Sequence, residues 1–181
     1  AYLASDQGNA VGLITMQDGA MKYLPPRDGR PHLRSLLATI DSVVESSSWQ
    51  LSRVLDAAAR LMRRKGIIIV ISDFYDDEAG TAAALRRMRT HGHDISVLQV
   101  LAPGELRLES EGQVEFVDAE TGARRLTDTA SIAAAYGSAV GEFIVRLREG
   151  SVRAGIDHAL LRTDVAPEKS LREWLQRRDA A

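Results

Sequence analysis

Three carboxylates crowd the end of one apolar run. Asp73, Asp76 and Asp77 follow Ile67 to Ile71 in the stretch Gly66 to Glu78, GIIIVISDFYDDE. Acids so spaced can hold a hard cation such as Mg²⁺, which binds through one or two carboxylates plus hydroxyls and water. They can equally start a helix, as N-cap and first-turn acids that satisfy its free N–H groups and its dipole. On the second reading Asp73 and Asp76 serve the helix that follows. On the first, Asp73 is the metal-ligating residue, and Asp73, Phe74, Tyr75, Asp76 and Asp77 form a rim for partner contact. Thr163-Asp164 ends another apolar run, and Arg162 stands beside it. A phosphoryl-transfer site would need such a second acid and such a cation on the same rim.

Other chemistries lack their residues. The chain has no cysteine, which removes disulfides, thiol nucleophiles and Cys-based zinc sites. No G-x-S-x-G elbow follows a strand, and neither G-x-x-x-x-G-K-[ST] nor G-x-G-x-x-G occurs. His91-Gly92-His93 supplies two imidazoles where zinc needs three or four ligands, so it reads as a helix stop. A net charge of −2 provides no field to gather nucleic acid. The clusters Arg63-Arg64-Lys65, Arg86-Arg87-Arg89 and Arg177-Arg178 fall near helix ends, where cations complement the last carbonyls. The longest apolar run is far below the roughly 20 residues of a membrane span, so no membrane contact is expected of this segment. The cysteine-free composition fits a reducing compartment, and the expected location is cytoplasmic.

The elements that must position these residues can be read from period and punctuation. At 181 residues, 45% apolar and 27% charged, the chain is expected to form one globular domain spanning 1–181. Residues 1–7 read as the end of a helix stopped by Gly8-Asn9. Ala10 to Met16 reads as a strand, Asp18-Gly19 as a hairpin turn, and Met21 to Leu24 as a short antiparallel edge strand ended by Pro25-Pro26. Helices follow at His32–Val44 and Trp49–Arg64, separated by Ser46-Ser47-Ser48. Ile67 to Ile71 has no position reserved for water. It predicts a central parallel strand buried on both faces, with Ile67, Ile69 and Ile71 on one face and Ile68 and Val70 on the other. A helix at 78–90, a strand at 94–101, a small β-meander at 105–127, a helix at 129–154 loosened near Gly141, a strand at 157–162 and a helix at 169–178 complete the pattern. Strands alternating with helices give an α/β fold with right-handed parallel crossovers.

Several phrases in this order resemble a bacterial family. KYLPPRDGRPHLRSLLATI, IIIVISDFYDD, HGHDISVLQVLAPGE, FVDAETGARRL and HALLRTD look like segments of domain-of-unknown-function family 58. That family has the von Willebrand factor A (vWA) fold and is often encoded beside MoxR-type AAA+ ATPases. The resemblance implies a Rossmann-like sheet, mostly parallel with one antiparallel edge strand, helices on both faces and a projecting meander. It further implies a non-enzymatic adaptor working with such an ATPase in a chaperone-like system. The vWA metal site takes D-x-S-x-S after the first strand, a later Thr, and an Asp after a middle strand. Asp73 matches the last. Ser48 approaches the Thr position only with a one-residue shift, and the D-x-S-x-S strand is absent. Mg²⁺ is therefore expected only where that segment is supplied, and no cofactor is otherwise implied.

In vWA order the missing strand lies between Ala10–Met16 and Ile67–Ile71. The two strands are expected to close on each other, or the slot to be filled by another chain or an upstream segment, with homo-oligomers forming through the open sheet. Two rival readings accompany the adaptor: a Mg²⁺-dependent phosphohydrolase using Asp73, and a structural fragment without separate function.

Overall fold

The computed structural model describes residues 1–17, 20–43, 50–62, 64–108, 112–117, 122 and 124–179. Where one domain was expected, contacts gather in two compact units, Ala1–Val54 and Leu55–Ala181.

In the first unit a short helix, α1 (Tyr2–Asp6), ends before Gly8, whose φ of +76° suits a residue without Cβ. Strands β1 (Val11–Gln17) and β2 (Ala20–Arg27) pair antiparallel, with Gln17 opposite Ala20. The turn assigned to Asp18-Gly19 lies outside the described residues. β2 does not stop at Pro25-Pro26, as expected, but runs through both. An irregular register between Val11 and Leu13 makes this feasible. Gly12 sits at that bulge, and a Cβ there would come within 2.9 Å of the Leu24 carbonyl oxygen and 3.0 Å of the Pro26 nitrogen. Helix α2 (Arg30–Asp41) starts with Pro31 in its first turn. It is tied back by His32 Nε2, 2.8 Å from the Val11 carbonyl oxygen. Ser46-Ser47-Ser48 lies outside the described residues. Helix α3 (Leu51–Leu61) then buries Leu51, Leu55 and Ala58, a stripe at helical spacing.

The second unit carries the parallel sheet. β3 (Ile67–Ser72), β4 (Asp94–Leu101) and β7 (Asp157–Arg162) pair in the order β3-β4-β7. Helix α4 (Glu78–Thr90) links the first two and buries Ala84, Leu85 and Met88. It stops at Gly92, φ +87°. After β4 come a one-turn helix α5 (Pro103–Leu106) and the antiparallel hairpin of β5 (Gln113–Val117) and β6 (Arg124–Asp128). The hairpin forms its own two-stranded sheet, as the meander reading required, although the segment opens with a helical turn. Helix α6 (Thr129–Arg153) begins with the buried Thr129, whose N–H and hydroxyl both donate to the Gly112 carbonyl. It runs without interruption through Gly141, contrary to expectation. The ~1 kcal/mol that Gly costs there is small beside the burial of Val140 and Leu147 on the same helix. Helix α7 (Pro167–Asp179) lays Trp174 on Leu98 and Ala159. The indole donates to Asp157 at 2.5 Å, and Arg178 bonds Ser96 and Asp94.

The core sits around β4, where Ile95, Val97, Leu98 and Leu101 are at most 2% exposed. β3 corrects the reading made from its composition. It lies at the sheet edge, and Ile67, Ile69 and Ile71 are 66%, 45% and 66% exposed, while Val70 on the opposite face is buried. An apolar run states that no position is reserved for water; how many strands flank it is decided elsewhere. β1 pairs with β2 alone, and no strand lies on the outer side of β3 among the described residues. The expected closure of these two strands onto each other is therefore not found there.

Candidate functional site

The chain leaves β3 through a left-handed residue. Phe74 has φ +65° although it is not glycine, a conformation costing roughly 1–2 kcal/mol. Its neighbours' side chains hold it there. Ser72 Oγ accepts the Phe74 N–H at 3.1 Å and donates to Asp73 Oδ1 at 3.2 Å, while that same Oδ1 accepts the Tyr75 N–H at 3.1 Å. This is an Asx-type turn, in which a short carboxylate replaces a backbone acceptor. From below, the buried Gln99 donates its Nε2 to the Asp73 carbonyl at 3.2 Å, and His158 Nε2 lies 3.3 Å from Gln99 Oε1. The Phe74 ring is 3% exposed. Burying it contributes roughly 1.5–3 kcal/mol, which offsets the backbone strain.

Turning Phe74 inward throws Tyr75 outward. Tyr75 stacks on Phe143 of α6, ring centroids 5.1 Å apart and planes at 23°, yet remains 45% exposed. Burial, with Tyr136, Glu105 and Asp73 nearby, pushes its hydroxyl up to about 12. Tyr136, also on α6, donates to the Glu105 carbonyl at 2.9 Å, and burial followed by the Glu105 charge raises its pKa as well. Glu105 in turn accepts the Ala102 N–H at 2.6 Å. Arg146 pairs with Glu78 at 3.2 Å, fastening α6 to the start of α4. The exits of β3 and β4 and one face of α6 thus meet around Tyr75.

The acids singled out from the sequence divide their duties. The helix cap is Asp77, which accepts the Gly80 N–H at 3.0 Å, and the first-turn acid is Glu78. Asp73 builds the turn instead of capping, and Asp76 is exposed beside it. Arg162 and Asp164 bind each other through two contacts of 2.9 and 2.6 Å, and that hydrogen bonding holds the Asp164 carboxyl below its ordinary value. No three His, Cys, Asp or Glu side chains converge among the described residues. Asp73 alone, with Oδ1 engaged by the turn, does not fit a Mg²⁺ site; Ser48 lies outside the described residues. At the helix stop, His91 Nδ1 lies 2.6 Å from the Arg87 carbonyl oxygen, and His93 is buried. Phe143, Tyr136 and Glu105 were not anticipated. Tyr136 and Phe143 stand seven apart on one helix face, a spacing visible in the sequence, but nothing local connects them to Tyr75.

Residues 1–142 match the family described as "Protein of unknown function DUF58". The chain belongs to that family. Uncharacterized proteins of Mycobacterium tuberculosis and Mycobacterium bovis are each 32% identical over 129 residues, covering 68% of this chain and 39% of their own length. The chain therefore spans about two-fifths of these curated relatives. An aerotolerance-related membrane protein from Bacteroides fragilis, solved with multiple mutations to serines, shares the fold at a TM-score of 0.52 and 18% identity, over 93% of this chain and 79% of that one. The conserved hypothetical protein BatB from Bacteroides thetaiotaomicron gives 0.50 and 16%, over 95% and 80%. The DUF58 chain is thus a mixed α/β, vWA-like protein. Among its described residues no helix is long and apolar enough to cross a membrane.

Proposed function

We propose that this chain is a non-enzymatic interaction module of adaptor type, in which the rim Asp73, Phe74, Tyr75, Asp76 and Asp77 contacts a protein partner. The partner class we assign is a MoxR-type AAA+ ATPase, met in the cytoplasm during chaperone-like assembly. One observation carries the reading. A left-handed, non-glycine turn holds Tyr75 half-exposed on Phe143, with acidic side chains around it. Strained backbone persists where the surroundings over-determine it, often at sites of recognition. A pre-ordered tyrosine is among the side chains that dominate interface energy. The acids around it fit a basic partner surface with a pocket for one aromatic ring. The oxygens that a hydrolase would aim at substrate are here engaged with backbone N–H groups or with Arg162, and the proposal assigns no cofactor.

Calorimetry of the chain with the ATPase encoded in the same genome tests this. Tyr75→Ala is expected to weaken binding at least about tenfold, as for an interface hot spot. Asp76→Lys should slow association, with an effect that shrinks at high salt. An ATPase that does not bind, or binds Tyr75→Ala as tightly as the unaltered chain, would remove the proposal. Phosphoester turnover lost on Asp73→Ala would replace it with an enzyme.

A further inference from the structure

The outer side of β3 combines two unsatisfied features. Its backbone edge has no strand partner among the described residues, and Ile67, Ile69 and Ile71 present a row of exposed apolar side chains. Helix α7 covers the same sheet face only over β4 and β7, through Trp174 on Leu98 and Ala159. Natural edge strands are blunted by charge, proline or a bulge. β2 has Pro25-Pro26 opposite an irregular register in β1. Residues 67–72, IIIVIS, have none of these.

We infer that the outer edge of β3 pairs antiparallel with β3 of a second copy of this chain, on a two-fold axis at Ile69. Two properties select a second copy over an arbitrary strand. The strand is bounded by opposite charges, with Arg64 and Lys65 before it and Asp73, Asp76 and Asp77 after it. Lys65 reaches across Gly92 at the amino end of the sheet, and the three acids stand at the carboxyl end. An antiparallel partner of identical sequence sets basic ends against acidic ends at both extremities, whereas a parallel one stacks like on like. The second property is register. A two-fold perpendicular to the sheet must pass a residue paired with its own copy, so each position i meets 138 − i when the axis lies at Ile69. Ile67 then faces the second copy's Ile71, Lys65 faces its Asp73, and all six exposed isoleucines share one side of a continuous sheet. Such an interface is isologous and closed, so it ends at the dimer.

The absence of native cysteine makes the register directly readable. Directly opposed antiparallel residues have Cα atoms about 4.5–5.5 Å apart, within disulfide reach. Ile69→Cys is therefore expected to crosslink to its own copy under mild oxidation. In Ile67→Cys the two thiols are offset by four residues, roughly 13 Å, and should not crosslink. Sedimentation velocity provides the second arm. Lys65→Asp and Asp73→Lys should each weaken the dimer by about fivefold or more, and the double variant should recover to within about threefold of the unaltered chain. A merely misfolded variant would not be rescued by its reciprocal. A chain that stays monomeric at high concentration, equal crosslinking of Ile67→Cys and Ile69→Cys, or open-ended larger species would each overturn the inference.

Discussion

β3 and β4 are neighbours in one parallel sheet, yet the more apolar of the two is the more exposed. β3 reads IIIVIS and leaves three isoleucines largely in solvent. β4 reads DISVLQVL and is buried over almost its whole length, including Ser96 and Gln99, both 0% exposed. β4 is hydrogen-bonded on both sides, β3 on one. The difference teaches that burial is assigned by topology and that composition only permits it. A polar residue can occupy the centre when it has a partner, as Ser96 has in Arg178 and Gln99 in the Asp73 carbonyl.

What fastens β3 is its exit more than its body, and the largest effect is expected there. Phe74→Ala should destabilise the protein by about 3–5 kcal/mol in denaturant unfolding, as for other buried aromatic truncations. Phe74→Gly should be milder than Phe74→Ala by up to about 1 kcal/mol, because only glycine adopts the left-handed conformation without strain. A glycine variant clearly worse than the alanine one would mean that the turn is not strained. The strand bodies come next. Ile95→Ala in β4 should cost about 2–5 kcal/mol, and Ile69→Ala in β3 under about 1 kcal/mol. Equal losses would erase the distinction between the two strands.

The smallest effect is a titration at the meeting point of the two strand exits. Tyr75, raised to about 12 against an ordinary 10.0, keeps its proton in the folded state at a pH where the unfolded chain has lost it. The unfolded state thus binds fewer protons between about pH 10 and 12. Stability contributed by Tyr75 is fully present below that window and falls as pH rises through it. Phenolate absorbance should show one tyrosine titrating late, and Phe143→Ala should bring it back toward the ordinary value. A late tyrosine that survives in Tyr75→Phe would assign the shift to another ring.

Much of the layout was legible. The ends of α4, β4 and β7 fall where the apolar period, Gly92 and Pro103 place them. These signals are local: a cap, a stop, a change of period. The place of β3 at the edge was not legible, because it depends on which strands exist beside it. Pro25-Pro26 did not end β2, because the irregular register at Gly12 was set by the partner strand. At the rim the sequence supplied Asp73 to Asp77 but could not divide capping from turn-building among them. That division depends on Phe74 swinging inward, a result of packing. Tyr136 and Phe143 were out of reach for the same reason.

The buried amide of Gln99 has one further consequence. A backbone carbonyl can only accept, so the Gln99 nitrogen must face Asp73 and its oxygen must face His158. The imidazole is then obliged to carry hydrogen on Nε2, and burial, the first of the influences on it, lowers its pKa and favours the neutral ring. Polarity therefore runs one way, from the His158 N–H through the amide into the carbonyl beneath Tyr75. A single tautomer on β7 is written into the orientation of a peptide plane at the tip of β3.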